Sequence, residues 1–501
     1  MINKGLFGLL LLFTQYVSAE VPTLAKALDN KSSDSIAELS VAVNDRSAIV
    51  CSNFVQNCTI NIGTTSCVTP PGFITVTNNS IVNARNIAAS SSDANYLSSV
   101  MQNNHCPSIL KPQASCTISF TSNTPSAYYV PNVVVKGSNT NATFFNINAI
   151  QCSTPQTGAL VPIPGSPFAT GNPNNLAATP NSKFLYVANY GSGVTGYLIT
   201  PTTGVLVPLA GSPYNPGNDY SGIAVSPNGQ YVYTTDSTNN LVAQFAINQT
   251  TGVLTFVNSY PSGSSSPVFI GLTPNGQFAY VANLNGHTVS AYTVNPTTGA
   301  LTAIAGSPFS IPPSSSQPVG LTSSPNGQFL YVIDYFSAFT GGHVHAFSIN
   351  QSTGALTALS GSPYQTGTYP TSIITNSTGS FIYVAAGNGP GLKASEFNTS
   401  IWIYSANSTT GALTDVTPIM PDTAASGIAL TPDDKFTYDT RYQDDLIIAS
   451  SVDPTSGLLS ILPDSPYATG SGPSAIIVTP NGLFVYVVNA SSNTISGYVI
   501  H

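Results

Sequence analysis

The chain has 501 residues, of which only 6% are charged and 42% are hydrophobic, and its formal net charge is −8. These values argue against a disordered chain, because 25 Tyr and 22 Phe in a weakly charged sequence are enough to build a core. Nucleic acid is not expected as a partner, since there is no basic stripe that could displace counterions from phosphates.

The first nineteen residues have the pattern of an export signal. Lys4 is followed by an apolar run over residues 6–13 and by the small residues Val17, Ser18 and Ala19. We therefore expect cleavage after residue 19 and export to the periplasm, the cell surface or the medium. No later stretch reaches about 18 uninterrupted apolar residues, so no transmembrane segment is predicted.

The next two segments are a predicted linker and a predicted small domain. Residues 20–48 show little sustained periodicity and are assigned to a linker. Residues 49–152 contain short alternating or β-branched runs separated by Asn, Ser, Pro and Gly, which predict an antiparallel β-sandwich. Residues 73–84 (FITVTNNSIVNA) and 110–120 (LKPQASCTISF) resemble the immunoglobulin-like modules of bacterial surface and secreted proteins. That resemblance implies an immunoglobulin-like β-sandwich.

Every cysteine lies before or within this small domain. An even number of cysteines in an exported chain indicates disulfides. The six residues are Cys51, Cys58, Cys67, Cys106, Cys116 and Cys152. Six cysteines allow about 15 pairings, and we expect a local pair between Cys106 and Cys116. A zinc site is the alternative, but there is no Cys-x-x-Cys and only His105 lies nearby.

From residue 153 to residue 501, one segment recurs seven times. Its most recognisable part is a short run of strand formers around a tyrosine, as in residues 278–283 (FAYVAN). The tyrosines lie 47 to 55 residues apart, at Tyr186, Tyr233, Tyr280, Tyr331, Tyr383, Tyr438 and Tyr486. A period of this size, built only from strand-like segments, is typical of a propeller or solenoid.

Each copy contains the signals for four strands. Residues 271–283 (GLTPNGQFAYVAN) place a Pro-Asn-Gly hairpin turn between the first two strands. Residues 288–294 form a third strand, and a Thr-Thr-Gly turn leads to a fourth, over residues 300–304. Four strands in seven copies predict an all-β, seven-bladed β-propeller. A parallel β-helix is the alternative, but it would need shorter coils and no hairpin turns.

The phase of the repeat predicts how the ring closes. The repeat region begins with a fourth-strand unit over residues 157–167 and ends with a third strand over residues 494–500. The first segment should therefore supply the outer strand of the last blade, which leaves no long open edge.

The Tyr-Val-Ala-Asn runs, Thr-Pro-Asn-Gly turns and Thr-Gly-Ala-Leu segments resemble the YVTN-type propeller repeats of secreted and surface proteins. They are also similar to the lactonase-type seven-bladed propellers that include 6-phosphogluconolactonase. The resemblance implies that ligands sit on the face built by the loops that enter strand one and the loops that join strands two and three. By repeat phase, the residue three after each tyrosine approaches this face: Asn189, Asp236, Asn283, Asp334, Ala386, Arg441 and Asn489. The alternative for the Asn and Asp residues is capping of the turn that follows the strand.

A lactonase needs a general base, an oxyanion site and cations that grip an anionic substrate. His287 and Glu396 lie in predicted loops between strands two and three, and they could meet Asp439 and Arg441 across the mouth of the propeller. Equally, they could be solvated loop residues. The supply of cations is small, because Arg441 is the only arginine in the repeat region.

His343 and His345 lie two residues apart and so share one face of a strand. This spacing would suit a metal if a carboxylate such as Asp334 joined them. No third ligand is indicated by the spacing, so a hydrogen-bonded surface pair is the favoured interpretation. No metal and no cofactor are predicted.

The sequence as a whole favours an exported binding or surface-interaction module without catalytic activity. Faces rich in Tyr, Ser, Thr and Asn would suit a protein or glycan ligand held by hydrogen bonds and aromatic stacking. A lactonase-like hydrolase of the 6-phosphogluconolactonase type is the alternative, and the shortage of cationic residues counts against it. The sequence makes no prediction about the oligomeric state.

Overall fold

The structure is a computed structural model that describes residues 39–45, 47–51, 59–63, 72–123, 128–140, 142–150, 156–215, 219–336, 341–386, 401–416 and 425–501. The predicted export signal, Cys58, Cys67, Cys152 and Glu396 lie outside these residues. None of the helices in the described part of the chain has the length and apolar character needed to cross a membrane.

The N-terminal part of the chain forms small sheets around one core. Its elements are β1 (Leu39–Asp45), β2 (Ser47–Cys51), β3 (Thr59–Gly63), β4 (Gly72–Asn78), β5 (Ala84–Arg85), β6 (Ala88–Ser90), α1 (Ala94–Ser99), β7 (Val100–Asn104), β8 (Ile109–Leu110), β9 (Ser115–Ser122), β10 (Tyr128–Lys136) and β11 (Thr143–Ile150). The strand orders are β2-β1-β4-β9-β7 and β3-β11-β10-β6, and β5 pairs with β8.

Alternate residues of the two larger sheets face each other and are buried together. Ile74 of β4, Phe120 of β9, Val135 of β10 and Phe145 of β11 belong to one cluster and are fully buried. This alternation is the pattern that the sequence predicted for a two-sheet sandwich. Cys106 and Cys116 form the expected disulfide.

Two details of the sequence prediction for this region were wrong. Residues 39–45, which had been assigned to a linker, form β1 and pair with both β2 and β4. Their partners in β4 lie far along the chain, so local periodicity gave only a weak signal. The prediction of a purely antiparallel sandwich also fails at one edge, where β3 runs parallel to β11.

The rest of the described chain forms four-stranded antiparallel sheets, which we number as blades one to seven. Blade one contains β14 (Pro173–Ala178), β15 (Phe184–Asn189), β16 (Gly193–Ile199) and β17 (Leu206–Pro208); blade two contains β18 (Tyr220–Val225), β19 (Tyr231–Asp236), β20 (Leu241–Ile247) and β21 (Leu254–Pro261); blade three contains β22 (Pro267–Leu272), β23 (Phe278–Asn283), β24 (Thr288–Val294) and β25 (Leu301–Ala303).

Blade four contains β27 (Ser316–Ser323), β28 (Phe329–Phe336), β29 (Gly342–Ile349) and β30 (Leu356–Ala358); blade five contains β32 (Pro370–Thr375), β33 (Phe381–Ala386), β34 (Ile401–Ala406) and β35 (Leu413–Asp415); blade six contains β36 (Gly427–Leu430), β37 (Phe436–Arg441), β38 (Leu446–Val452) and β39 (Leu459–Ile461). Blade seven contains β41 (Pro473–Val478), β42 (Phe484–Asn489), β43 (Thr494–Ile500) and, as its outer strand, β12 (Leu160–Pro162). The short strands β13 (Phe168–Ala169), β26 (Phe309–Ser310), β31 (Tyr364–Thr366) and β40 (Tyr467–Ala468) each add to the third strand of a blade.

The blades close into a ring. The first strand of each blade contacts the first strand of the next, and β41 of blade seven contacts β14 of blade one. As the repeat phase predicted, β12 pairs antiparallel with β43, with Leu160 opposite Ile500. The amides of Thr157 and Gly158 also donate hydrogen bonds to the carbonyl oxygen of His501. The two ends of the repeat region are therefore joined in one sheet.

The repeated tyrosine connects each blade to the next. Its buried hydroxyl donates a hydrogen bond of 2.5–3.2 Å to the carbonyl oxygen of a turn glycine in the following blade. The pairs are Tyr186 with Gly252, Tyr233 with Gly299, Tyr280 with Gly354, Tyr331 with Gly411, Tyr383 with Gly457, Tyr438 with Gly158 and Tyr486 with Gly204. We call this set the tyrosine ring. It explains why the tyrosine and the turn glycine recur together.

The turn glycine is required for two reasons, as Gly354 shows. Its φ of +73° lies in the left-handed region, and a Cβ built on it would lie 2.4 Å from Cδ1 of Phe278 in the neighbouring blade. The repeat therefore encodes a close contact between blades as well as a turn.

Candidate functional site

The residues predicted to approach the ligand face lie at or near the end of the second strand of each blade, and they are buried. Asn189, Asn283 and Asp334 are 0% exposed, as is Asn489, and Asp236 is 3% exposed. In blade one, Nδ2 of Asn189 donates to the carbonyl oxygens of Val187 and Gly193 and to the hydroxyl of Thr195. The Asn189 side chain therefore holds strand two to strand three, whereas the Asp236 side chain accepts a hydrogen bond from the backbone amide of Asn239 in the following turn, as expected for the capping alternative. Their role in ligand binding stays a prediction.

Blades three and seven share one neutral arrangement at this position. In blade three, Nδ2 of Asn283 donates to the hydroxyls of Thr288 at 3.2 Å and Ser290 at 2.8 Å. In blade seven, the amide of Asn489 lies 3.1 Å from the hydroxyl of Thr494 and 2.9 Å from that of Ser496. The three positions are the end of strand two, the residue paired with it in strand three, and the residue two further on. We call these positions the polar trio.

Blade four has charged and imidazole groups at all three positions of the polar trio. Asp334 lies three residues after Tyr331 in β28, His343 pairs with it in register, and His345 lies two residues further along β29. The Oδ1 atom of Asp334 is 3.3 Å from Nδ1 of His343 and 3.4 Å from Nε2 of His345. It also accepts a hydrogen bond from the backbone amide of His343 at 3.0 Å.

This blade-four cluster lies mostly in the interior. The side chain of Asp334 is 0% exposed and that of His345 is 2% exposed, whereas 27% of His343 remains exposed. The favoured interpretation of the two histidines as a surface pair was therefore wrong. The burial of these side chains depends on contacts with the neighbouring blade, and the spacing of the two histidines in the sequence does not predict such contacts.

The carboxylate at the centre of the cluster is held in its charged form. Burial alone would raise the pKa of Asp334, but the nearby imidazoles of His343 and His345 outweigh it and hold that pKa well below its usual range. The Ser316 side chain contributes to the same lowering. The cluster therefore has a buried negative charge with two imidazole nitrogens directed at one of its oxygens.

His287 contacts the backbone of blade four, the blade next to its own. Its Nδ1 is 2.7 Å from the carbonyl oxygen of Ser316, the first residue of β27 in blade four. A carbonyl oxygen can only accept, so Nδ1 carries a proton and Nε2 is the basic nitrogen of the neutral ring. His287 belongs to blade three, whereas Asp439 and Arg441 lie in blade six.

Asp439 and Arg441 form a buried ion pair. They lie two residues apart on one face of β37, and Nε of Arg441 is 2.9 Å from Oδ2 of Asp439. Both side chains are 3% exposed. The structure thus joins two of the four predicted catalytic residues, separates His287 from them by blades, and does not describe Glu396.

Tyrosines are also exposed on the loop face, which is the face built by the loops that enter strand one and the loops that join strands two and three. Tyr190, just after β15 in blade one, is 39% exposed, and its hydroxyl accepts a hydrogen bond from Nδ2 of Asn174 at 2.8 Å. Tyr442, just after β37 in blade six, is 41% exposed, and its hydroxyl lies 3.2 Å from the hydroxyl of Ser491 in blade seven. Neither tyrosine is among the site residues predicted from the sequence. Their signal was the position directly after the polar trio residue of strand two.

The closed ring of four-stranded antiparallel sheets makes this protein a β-propeller. The family model for the lactonase, seven-bladed β-propeller matches residues 207–314, 312–394 and 393–501. The chain belongs to this family. No curated protein matches the chain.

Solved structures show the same fold at low identity. A protein of Bacteroides uniformis, provisionally assigned as a 6-phosphogluconolactonase, is 22% identical, with a TM-score of 0.52 over 66% of this chain and 92% of its own. Hydrazine synthase of Kuenenia stuttgartiensis is 17% identical, with a TM-score of 0.50 over 66% of this chain and 96% of its own. The β-propeller domain of Myceliophteria thermophila Cps50 is 11% identical, with a TM-score of 0.51 over 68% of this chain and 99% of its own. At these identities the likeness concerns the fold alone.

Proposed function

We propose that this protein is a binding module that holds a polar, weakly charged partner, a glycan or a protein surface, on the loop face of its propeller, without catalytic activity. The observation that carries the proposal is the pair of exposed tyrosines, Tyr190 and Tyr442. Both lie on the loop face, and blades one and six that bear them flank blade seven.

These tyrosines have the properties of aromatic contact residues. The aromatic side chain of a tyrosine offers a large apolar surface with few rotatable bonds, so ordering it on binding costs little entropy. The hydroxyls of Tyr190 and Tyr442 already contact Asn174 and Ser491, which restrains both rings before a ligand arrives. The low charge of the chain favours a ligand held by stacking and hydrogen bonds.

A lactonase-like hydrolase is the second candidate, because the chain belongs to the lactonase propeller family and resembles the Bacteroides protein in fold. The burial of Arg441 counts against it. A guanidinium that is 3% exposed and paired with Asp439 would have to leave that partner before it could grip an anionic substrate. Leaving one charge buried and unpaired is strongly unfavourable.

The cellular setting is part of the same proposal. The pattern of residues 1–19 supports export to the periplasm, the cell surface or the medium, and the Cys106–Cys116 disulfide suits an oxidising compartment. We also propose that the N-terminal sheets form an immunoglobulin-like module. Two facing sheets with a shared core support this assignment.

The test is a pair of assays on purified residues 20–501. A glycan array and a set of immobilised surface proteins would identify a ligand, and a lactone panel that includes 6-phosphogluconolactone would measure hydrolysis. Tyr190→Ala and Tyr442→Ala should each weaken binding at least about tenfold, as expected for aromatic hot spots. Phe256→Ala is the matched control, because Phe256 is 50% exposed on the outer strand of blade two, away from the loop face.

Binding that is insensitive to both tyrosine variants would contradict the proposed face. Lactone turnover that is lost in His287→Ala, or in an Arg441→Ala variant shown to remain folded, would replace the proposal with the hydrolase.

A further inference from the structure

We propose that Asp334, His343 and His345 of blade four form a binding site for a divalent transition metal ion, with Zn²⁺ as the best-matched ion. Two imidazole nitrogens and one carboxylate oxygen are a common set of protein ligands for this ion. The three side chains come from the adjacent strands β28 and β29, and their ligand atoms lie within 4.8 Å of one another.

The distances fit shared coordination better than hydrogen bonding. Charge-assisted hydrogen bonds between nitrogen and a carboxylate are about 2.7–2.9 Å long. The two imidazole nitrogens instead lie 3.3 and 3.4 Å from the same oxygen, Oδ1 of Asp334. A tetrahedral ion with bonds of about 2.0–2.1 Å holds its ligand atoms about 3.3–3.4 Å apart. The spacing between carboxylate and imidazoles is therefore the spacing that such an ion requires.

Comparison among the blades supports the same conclusion. Blades three and seven have Asn, Thr and Ser at the polar trio, and these neutral groups hydrogen-bond to one another. Blade four has Asp, His and His, so all three positions differ together. The neutral trio is therefore sufficient to join strands two and three of a blade at this position. Replacing it with a buried carboxylate and two imidazoles adds a desolvation cost that a bound cation would offset.

The site is preorganised and open on one side. Asp334 and His345 are fixed in the interior, while His343 reaches solvent with 27% of its side chain exposed. Three protein ligands leave one tetrahedral position for water or for a donor group of a bound molecule. Hard cations such as Ca²⁺ and Mg²⁺ are disfavoured, because they prefer sets made of oxygen ligands.

The test uses purified residues 20–501 without a histidine tag, treated with a chelator and dialysed. Calorimetric titration with Zn²⁺ should give one ion per chain, and Co²⁺ should give the intense visible absorption of a tetrahedral complex. A variant with Asp334→Asn, His343→Thr and His345→Ser reproduces the trio of blades three and seven, so we expect it to fold. It should bind Zn²⁺ more than about 100-fold more weakly, since even changes behind the ligands cost about 10–100-fold.

His105→Ala is the matched control, because His105 is an exposed histidine outside the propeller. It should bind Zn²⁺ like the unchanged protein. If the triple variant does not fold, Asp334→Asn alone with the Co²⁺ spectrum provides the same comparison. Zn²⁺ binding that is absent from the unchanged protein, or equal in the unchanged protein and the variants, would overturn the proposal.

Discussion

Removing one hydroxyl from the tyrosine ring should weaken the whole propeller. In Tyr280→Phe, the carbonyl oxygen of Gly354 loses the hydrogen bond that it accepts at 2.9 Å, and it stays buried between two blades. Leaving a buried acceptor unsatisfied costs about 1–3 kcal/mol. Unfolding entropy is about 2.1 cal/mol/K per residue, so for residues 157–501 this loss corresponds to about 1–4 °C in Tm.

The assay is urea or thermal unfolding followed by tryptophan fluorescence, because Trp402 in blade five is the single tryptophan of the chain. Tyr438→Phe should cost a similar amount, since its partner Gly158 belongs to the segment that closes the ring. Tyr442→Phe is the control, because that tyrosine is exposed, and it should change stability by less than about 0.5 kcal/mol. Equal stabilities for Tyr280→Phe and the control would refute the idea that these hydroxyls join the blades.

Three further predictions concern pH, a glycine and the buried ion pair. Burial raises the pKa of the seven repeat tyrosines far above the ordinary value of about 10. The tyrosines therefore contribute fully to stability below about pH 10, and this contribution is lost as pH rises further. The Tm should be much lower at pH 11 than at pH 9. Gly354→Ala should destabilise the fold by more than Gly263→Ala, because both glycines have a φ of +73° but the nearest atom to the new Cβ lies at 2.4 Å in the first and 3.8 Å in the second. Equal losses in urea unfolding would show that backbone strain alone matters. Arg441→Asn should cost about 3–5 kcal/mol of stability by leaving Asp439 buried without its ion pair. The double variant Asp439→Val, Arg441→Asn has the residues found at these positions in blades three and seven, and it should recover most of that stability. A double variant as unstable as the single one would argue against this account.

The architecture was predictable because its signals are local and repeated. The Pro-Asn-Gly turns, the strand lengths and the phase of the first and last segments each lie within a few residues, and together they predicted the number of blades and the pairing of β12 with β43. The start of the N-terminal sheets was missed, because the pairing of β1 with β4 depends on residues distant in sequence.

The chemistry of individual residues was harder to predict, because it depends on burial and on contacts between blades. Spacing placed His343 and His345 on one face of a strand, but it indicated no third ligand and could not show that Asp334 and His345 are buried. From the sequence, His287 could either meet Arg441 across the mouth or be a solvated loop residue, and the structure shows its ring in contact with the backbone of Ser316 in the next blade. The phase of the repeat predicts the position of a residue along its strand. The residue that its side chain contacts depends on the sequence of the neighbouring blade.

Comparing blades with one another supplies information that a single motif cannot. Blades four and six both replace neutral residues near the end of strand two with charged ones, and both place those charges in the interior. Buried charges seldom add net stability, so departures of this kind are expected where a protein has a function to serve. In blade six the two opposite charges compensate each other. In blade four a carboxylate and two imidazoles converge on one point, an arrangement that a cation would complete, which makes blade four the first place to look for chemistry in this propeller.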